Sequence, residues 1–395
     1  MEIADVKKTI ILLMFCLMPF SGMFAKNLKV SLLTCSPGDE AYSLFGHTAL
    51  RFCDNDRGTD IVFGYGYFDF SAPNFAWRFI LGETDYMVGA VPYAHFINEY
   101  EERGSAVIEQ EISLTSQQKL ELYGILAENC RPENRVYRYN YFYNNCTTKI
   151  RDLLYSVVGD VIYKDEHPGN ITFRDALSEL TAEHEWYAFG IDLLLGADID
   201  KPASRHQLQF IPGFFMYDAD SAYIVSSDGT ICPFVQGKSM LLEEQRAVAV
   251  YNHFTPFNAS ILLLLATLII MLCEVRRKKT YLWFDAILML LQGIPGLLLL
   301  FMALFSLHPA VGNNWLIILL NPVALLLLPI IIYRTIKGKE MGICWVQVFF
   351  VALFLLTAIF SVQVYPVPIY FCAVALLARA LFHIYKNRIC ELNLL

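Results

Sequence analysis

Tyr139-Asn140-Tyr141-Phe142-Tyr143-Asn144-Asn145-Cys146-Thr147-Thr148-Lys149-Ile150-Arg151-Asp152-Leu153-Leu154 runs an aromatic segment into two asparagines and then into an amphipathic pattern at Ile150, Leu153, Leu154 and Val157. That spacing marks one face of a helix, and Asn144 or Asn145 makes a good N-cap. Cys146 is then expected in the first helical turn. Free backbone N–H groups and the positive end of the helix dipole favour a thiolate there. The same N–H groups could hold the oxyanion of a tetrahedral intermediate. A nucleophilic cysteine also needs a base. His47, His95, His167, His184, His206 and His253 are available, and spacing alone singles out none of them. A lone cysteine and a lone histidine are more often core residues than a pair.

Upstream, Phe45-Gly46-His47-Thr48-Ala49-Leu50-Arg51-Phe52 alternates after the histidine. Thr48, Leu50 and Phe52 fall on one face, His47, Ala49 and Arg51 on the other, as in a half-buried strand. The polar turn Asp54-Asn55-Asp56-Arg57-Gly58 leads into Ile61–Phe68, which predicts a hairpin. Residues 75–81 and 84–93 read as further short elements, Val107–Ile112 as a strand, and Ser116–Cys130 as a helix capped by Thr115 or Ser116.

The whole chain has 395 residues, 56% hydrophobic and 17% charged, with mean hydropathy +0.43. Soluble domains run near 45–50% apolar and about 25% charged, so a hydrophobic part has been added to a globular one. Disorder is excluded by the hydrophobicity. A net charge of −8 argues against nucleic-acid binding, which needs a basic surface.

Lys7 and Lys8, the apolar run Thr9–Phe20 and Ser21-Gly22-Met23-Phe24-Ala25 read as a signal peptide over 1–25, cleaved after Ala25; an uncleaved anchor is the alternative. Cys16 has no small residue directly before it and is not read as a lipid-attachment site. Beyond the exported region 26–256, the domain 257–395 carries five runs long enough to cross a bilayer: 257–275, 281–305, 315–333, 343–363 and 365–385. Arg276-Arg277-Lys278-Lys279 follows the first run, Arg334, Lys337 and Lys339 the third, and Lys386 and Arg388 the fifth. The loops 306–314 and 362–368 hold no Lys or Arg. By the positive-inside rule the basic loops face the cytoplasm, and the region before the first run lies outside, as the leader also implies. Cys35, Cys53, Cys130, Cys146 and Cys232 in the exported region are odd in number and lack CxxC spacing, too sparse for a disulfide framework. HExxH, paired CxxC, GxSxG and phosphate-loop patterns are all missing, and no metal or cofactor is implied.

A Gly-His strand followed about a hundred residues later by Asn-Cys at a helix start resembles circularly permuted papain-like enzymes, the NlpC-type hydrolases and the lecithin:retinol acyltransferase group. The chain is more similar still to bacterial Lnb-type lipoprotein N-acyltransferases. The matching segments are Leu44–Phe52, Tyr65–Phe75, Tyr139–Asp152, Thr172-Phe173-Arg174-Asp175, Leu195-Gly196 with Asp200-Lys201-Pro202, His308-Pro309, and Asn313-Asn314-Trp315 with Asn321-Pro322. They span most of the chain in order, and their specificity lies in the set. The resemblance implies an α+β fold: a permuted papain-like periplasmic domain followed by an α-helical membrane domain of five spans, in the bacterial inner membrane. It also implies a Cys146–His47 pair. Cys146 would take an acyl group from a membrane phospholipid as a thioester, and the N-terminal amine of a diacylated lipoprotein would accept it, with His47 moving the protons. The third residue in such sites lies on the strand after the histidine, where Asp60 and Tyr65 are candidates and Asp54 is a turn residue. Arg51 is placed either on a lipid phosphate or in an ordinary ion pair, and Asn145 beside the substrate. His308, Asn313 and Asn314 either position a headgroup or amine or merely form a loop.

Two other readings compete. The same pair with water or a peptide bond would give a phospholipase or a cell-wall hydrolase, though five spans are excessive for cutting a polymer. A dead papain-like fold would give a membrane-anchored binding protein. Within the second run, Gln292-Gly293-Ile294-Pro295-Gly296 is expected to interrupt the helix, opening a cleft or merely kinking it. Asp285 and Arg379 lie near the cytoplasmic edge, where Arg379 can snorkel.

Overall fold

Polar Asp54–Gly58 reverses the chain between two β-rich runs, and strands β2 (His47–Asp54) and β3 (Thr59–Tyr67) pair antiparallel, Ala49 opposite Gly64. The computed structural model describes residues 28–40, 42–69, 71–166, 169–226, 229–245, 254–339 and 341–392, side chains of the last helix being described to 386. The expected leader, its cleavage after Ala25 and Cys16 lie outside the described residues. Two compact units divide the chain: residues up to Ile171 with Pro202–Ala249, and Thr172–Lys201 with Val250–Leu395. This differs from a single cut at 256, because Thr172–Lys201 groups with the apolar helices.

In the first unit, β1 (Leu28–Cys35), β2, β3, β4 (Asp85–Pro92), β5 (Val107–Ile112), β6 (Val136–Arg138) and β10 (Val235–Leu242) form one antiparallel sheet in the order β10-β5-β1-β2-β3-β4-β6. Strands β7 (Asp160–Tyr163), β8 (Ala222–Val225) and β9 (Ile231–Pro233) make a smaller sheet. Short helix α1 covers Phe75–Leu81, and α2 covers Tyr93–Glu102. One sheet face buries Leu50, Phe52 and Phe63 in a core with Leu122 and Leu126 of α3 (Ser116–Asn129), Ile150 and Leu154 of α4 (Cys146–Val158), and Phe215. The opposite face buries Leu33, Ala49 and Val62 under Phe96 and Tyr100 of α2. Alternation in β2 thus sorts residues between two cores. The strand is central and covered on both faces, where sequence patterning predicts one solvated face.

In the second unit, five stretches are long and apolar enough to cross a membrane: Pro256–Arg277, Leu282–Phe305, Trp315–Ile336, Gly342–Ile359 and Val367–Lys386. The second runs unbroken through Pro295, so the expected interruption does not occur. Its glycines serve close packing: a β-carbon at Gly296 would lie 2.1 Å from the Leu320 carbonyl oxygen, and one at Gly293 2.5 Å from Leu325 Cγ. The break falls in the third stretch, where a 3-10 turn (Trp315–Ile318) precedes the helix Val323–Ile336. Pro322 disfavours helical backbone before it, and Asn321 Nδ2 donates to the Ile318 carbonyl at 2.9 Å.

Helices α5 (Phe173–Leu180) and α6 (Glu185–Leu194) belong to this unit, and Phe189, Leu193 and Leu194 pack on its apolar core. Arg174 joins Asp192 and Asp200. The Gly196 N–H donates to Ala310 O at 2.7 Å and the Ala197 N–H to Asn313 O at 2.9 Å. Only glycine fits at 196, because a β-carbon would sit 2.2 Å from the Asn313 oxygen.

Arg379 does not snorkel. It is buried, with Nε 2.6 Å and Nη2 3.0 Å from the Asp285 carboxylate and Nη2 2.7 Å from Glu274 Oε1. His383 Nε2 lies 2.8 Å from Asp285, and Lys386 Nζ 3.3 Å from Glu274. The cluster ties three apolar helices together. Removing one member of a buried ion pair typically costs about 3–5 kcal/mol, because the remaining charge is left unpaired in a poor solvent. Arg379→Ala is therefore expected to lower the thermal unfolding midpoint in detergent sharply, and a midpoint equal to the parent's would refute a stabilising cluster.

Candidate functional site

Gly46 adopts φ +76°, where a β-carbon would come within 2.6 Å of the Cys35 carbonyl oxygen. This turn starts β2 with His47, which pairs across the sheet with Cys35. Asn145 caps α4: its Oδ1 accepts the Thr147 and Thr148 N–H groups, each at 2.9 Å, and Thr148 Oγ1 accepts the Asn145 N–H at 2.8 Å. Cys146 follows as the first helical residue. Among the described residues its own N–H has no backbone acceptor, as expected for the first donors of a helix. The Thr48 and Thr147 hydroxyls meet at 3.0 Å, seating the helix start on the strand. Gly66, φ +98°, faces the Cys146 β-carbon; a β-carbon there would stand 3.6 Å away.

Cys146 and His47 come together. Burial alone would push the thiol up. The charge of His47, a hydrogen bond with its side chain, one from the Thr48 N–H and one from the Thr147 hydroxyl outweigh burial, and Cys146 titrates below the usual thiol range. Tyr139 and Tyr141 are pushed the other way by burial, then by the Cys146 charge, and remain neutral. The Tyr100 ring lies parallel to the imidazole, centroids 6.5 Å apart at 15°.

A cleft of about 620 Å3 opens over the pair, within the ~300–1,000 Å3 typical of small-ligand sites. Phe45, Phe68, Phe75, Phe79, Tyr86, Tyr139, Tyr141 and Phe210 line it, with Ile80 and Pro212. The aromatic run before Cys146 divides: Tyr139 and Tyr141 face the cleft, whereas Tyr137 packs on Tyr65.

Several expected site residues are placed elsewhere. Asp60 accepts from Arg51 Nε at 2.8 Å and Nη2 at 2.7 Å, while Arg51 Nη1 reaches Glu109 at 3.1 Å. The Arg51 guanidinium also covers the Tyr93 ring at 3.4 Å. Arg51 thus takes the ion-pair reading, and Asp60 is spent on it instead of orienting His47. Tyr65 stands opposite Thr48 when the Ala49–Gly64 register is continued, on the face away from His47. Its hydroxyl accepts from Asn129 Nδ2 at 2.8 Å inside the core. Asn145 lines the cleft, but its Nδ2 donates to Tyr141 O at 3.0 Å and Phe210 O at 2.8 Å, so the cap uses the whole amide.

His308, Asn313 and Asn314 belong to the second unit. Asn314 is buried; its Nδ2 donates to Leu193 O at 2.7 Å, and its Oδ1 accepts from Leu316 N and Gln363 Nε2. It is a loop-forming residue. Asn313 offers its carbonyl to Ala197, and the His308 N–H meets Ser306 Oγ at 3.2 Å.

Sequence reasoning missed Tyr67. The register shift between Tyr65 and Tyr67 pairs them with Val88 and Met87, successive residues of β4. One residue is thereby added to β3, which turns the next side chain to the other face. Gly66 at the shift was the available signal.

A family model described as Lnb N-terminal periplasmic domain matches residues 22–179, and one described as Lnb transmembrane domain matches residues 248–388. No curated protein and no solved structure matches. Five helices long and apolar enough to cross a membrane, together with a periplasmic domain, make this a multi-pass membrane protein.

The lowered thiol value has a measurable sign. Iodoacetamide alkylation of Cys146 should remain fast below the pH at which a free cysteine, with pKa about 8.5, loses reactivity, and fall as pH drops through the lowered value. His47→Ala should shift that profile to higher pH; an unshifted profile would separate the two residues.

Proposed function

Because the chain belongs to the Lnb family, we propose that it is a lipoprotein N-acyltransferase of the bacterial inner membrane working through a Cys146 thioester. The observation that carries this reading is the paired Cys146 and His47 under an aromatic cleft, with the thiol held below its usual range. The periplasmic face of the membrane supplies both lipid-anchored substrates, a phospholipid donor and a diacylated lipoprotein acceptor.

The Cys146 thiolate attacks the ester carbonyl carbon of the phospholipid, and the C–O bond to the glycerol oxygen breaks. His47 passes its proton to the leaving alkoxide, which departs as lysophospholipid. The acyl group remains on Sγ as a thioester. The N-terminal amine of the lipoprotein then attacks, His47 takes its proton, and the amide forms as the thiolate leaves. An α-amine with pKa of about 7.7–8 is partly neutral at ordinary pH. The Cys146 N–H and the positive end of α4 suit the oxyanion in both halves. The aromatic lining suits an acyl chain, whose burial contributes roughly 0.8 kcal/mol per CH2. Tethering to the bilayer brings donor and acceptor into local encounter.

Purified full-length chain in liposomes, given phospholipid and a diacylated lipopeptide, should raise the lipopeptide mass by one acyl group. Intact-mass analysis should also catch a transient acyl adduct on the protein, and Cys146→Ala should abolish both. Lysophospholipid without lipopeptide acylation would make the enzyme a hydrolase. No change with folded protein would end the transferase reading.

A further inference from the structure

The geometry points to Tyr67 as the positioning residue of the site, its hydroxyl holding His47 Nε2 so that Nδ1 faces the Cys146 thiol. This rests on the Cys146–His47 reading above and supplies the third member that neither Asp60 nor Tyr65 can be.

The register shift at Gly66 delivers Tyr67 to the His47 face of the sheet, and two glycines make room for its ring there. A β-carbon on Gly89 would lie 3.2 Å from Tyr67 Cε2. A β-carbon on Gly64 would lie 3.3 Å from Cε2, 3.2 Å from the Tyr67 hydroxyl and 3.4 Å from His47 Nε2. Hydroxyl and imidazole nitrogen therefore border one gap, the space of the missing methyl group on Gly64. A hydroxyl can close such a gap directly when the substrate complex tightens, or through one water.

The surroundings leave this task to Tyr67. Tyr100 lies parallel to the imidazole, and its hydroxyl acts on the Cys35 thiol, which burial pushes up and Tyr100 partly offsets. The charged and titratable groups that act on Tyr67 are Glu99 and Arg103 of α2, Cys130 and Cys35. Glu99 is itself ion-paired with Arg103. A neutral imidazole has one N–H and one lone pair. With the proton on Nε2 and donated towards the tyrosine oxygen, Nδ1 presents its lone pair to the thiol. After proton transfer the same oxygen faces the imidazolium N–H.

The test is Tyr67→Phe in the full-length chain, which deletes one oxygen and keeps the ring. Acyl transfer should lose roughly a hundredfold in kcat, the lower end of an acid–base contribution, with KM for phospholipid unchanged. The Cys146 alkylation profile should move to higher pH, towards that of His47→Ala. In a His47→Ala background, Tyr67→Phe should cost nothing further, since coupled residues are non-additive. A parental kcat and alkylation profile in Tyr67→Phe would overturn the assignment while leaving the Cys146–His47 reading intact. So would an equal, additive loss in both backgrounds, which marks a merely structural tyrosine. Full activity of His47→Ala would instead bring down the underlying reading.

Discussion

The Thr48 and Thr147 hydroxyls meet at 3.0 Å in the buried seam between β2 and the first turn of α4. Each threonine is the chain neighbour of one member of the proposed pair, so this bond helps hold His47 beside Cys146 across 99 positions of sequence. The Thr48 N–H also helps hold the thiol below its usual range. Everything else in the site is arranged around that seam. The Asn145 cap spends its amide on holding the helix start, and among the described residues the Cys146 N–H has no backbone acceptor. The Gly46 turn delivers the histidine, and Gly66 lets the strand approach the cysteine.

The chemistry that results is a balance. A half-buried thiol in an aromatic cleft would ordinarily resist ionisation. Four favourable contacts, the His47 charge first among them, reverse that. Tyr139 and Tyr141, which line the same cleft, are pushed up by burial first and by the Cys146 charge second, and stay neutral. One site thus combines a thiol held below its usual range with an apolar wall, and the acyl transfer proposed above needs both, because the chain and the reacting carbonyl need opposite environments.

The membrane unit follows a different rule. Water cannot satisfy polar groups among apolar helices, so Glu274, Asp285, Arg379, His383 and Lys386 pair with one another. At the loops 306–314 and 362–366, the Thr172–Lys201 segment supplies the partners instead: Leu193 and Leu194 carbonyls for Asn314, and Asp200 for the Val364 N–H. These polar loop residues are consumed by folding.

Local pattern determined much of this protein. Amphipathic spacing and an asparagine cap placed Cys146 at a helix start, alternation and a polar turn placed the β2–β3 hairpin, and hydrophobic length marked five spans, because each property is written within a window of a few to twenty residues. What pairs with what was decided only by the tertiary structure. Arg51 with Asp60, Tyr65 with Asn129, Arg379 with Asp285, and the grouping of Thr172–Lys201 with the membrane helices all depend on contacts between distant segments. Tyr67 shows the reason most sharply. Strict alternation puts Tyr65 and Tyr67 on the same face, and a single extra residue at Gly66 reverses the second of them. A one-residue shift in a period-two structure exchanges the two faces, and only the paired strand records that it has happened.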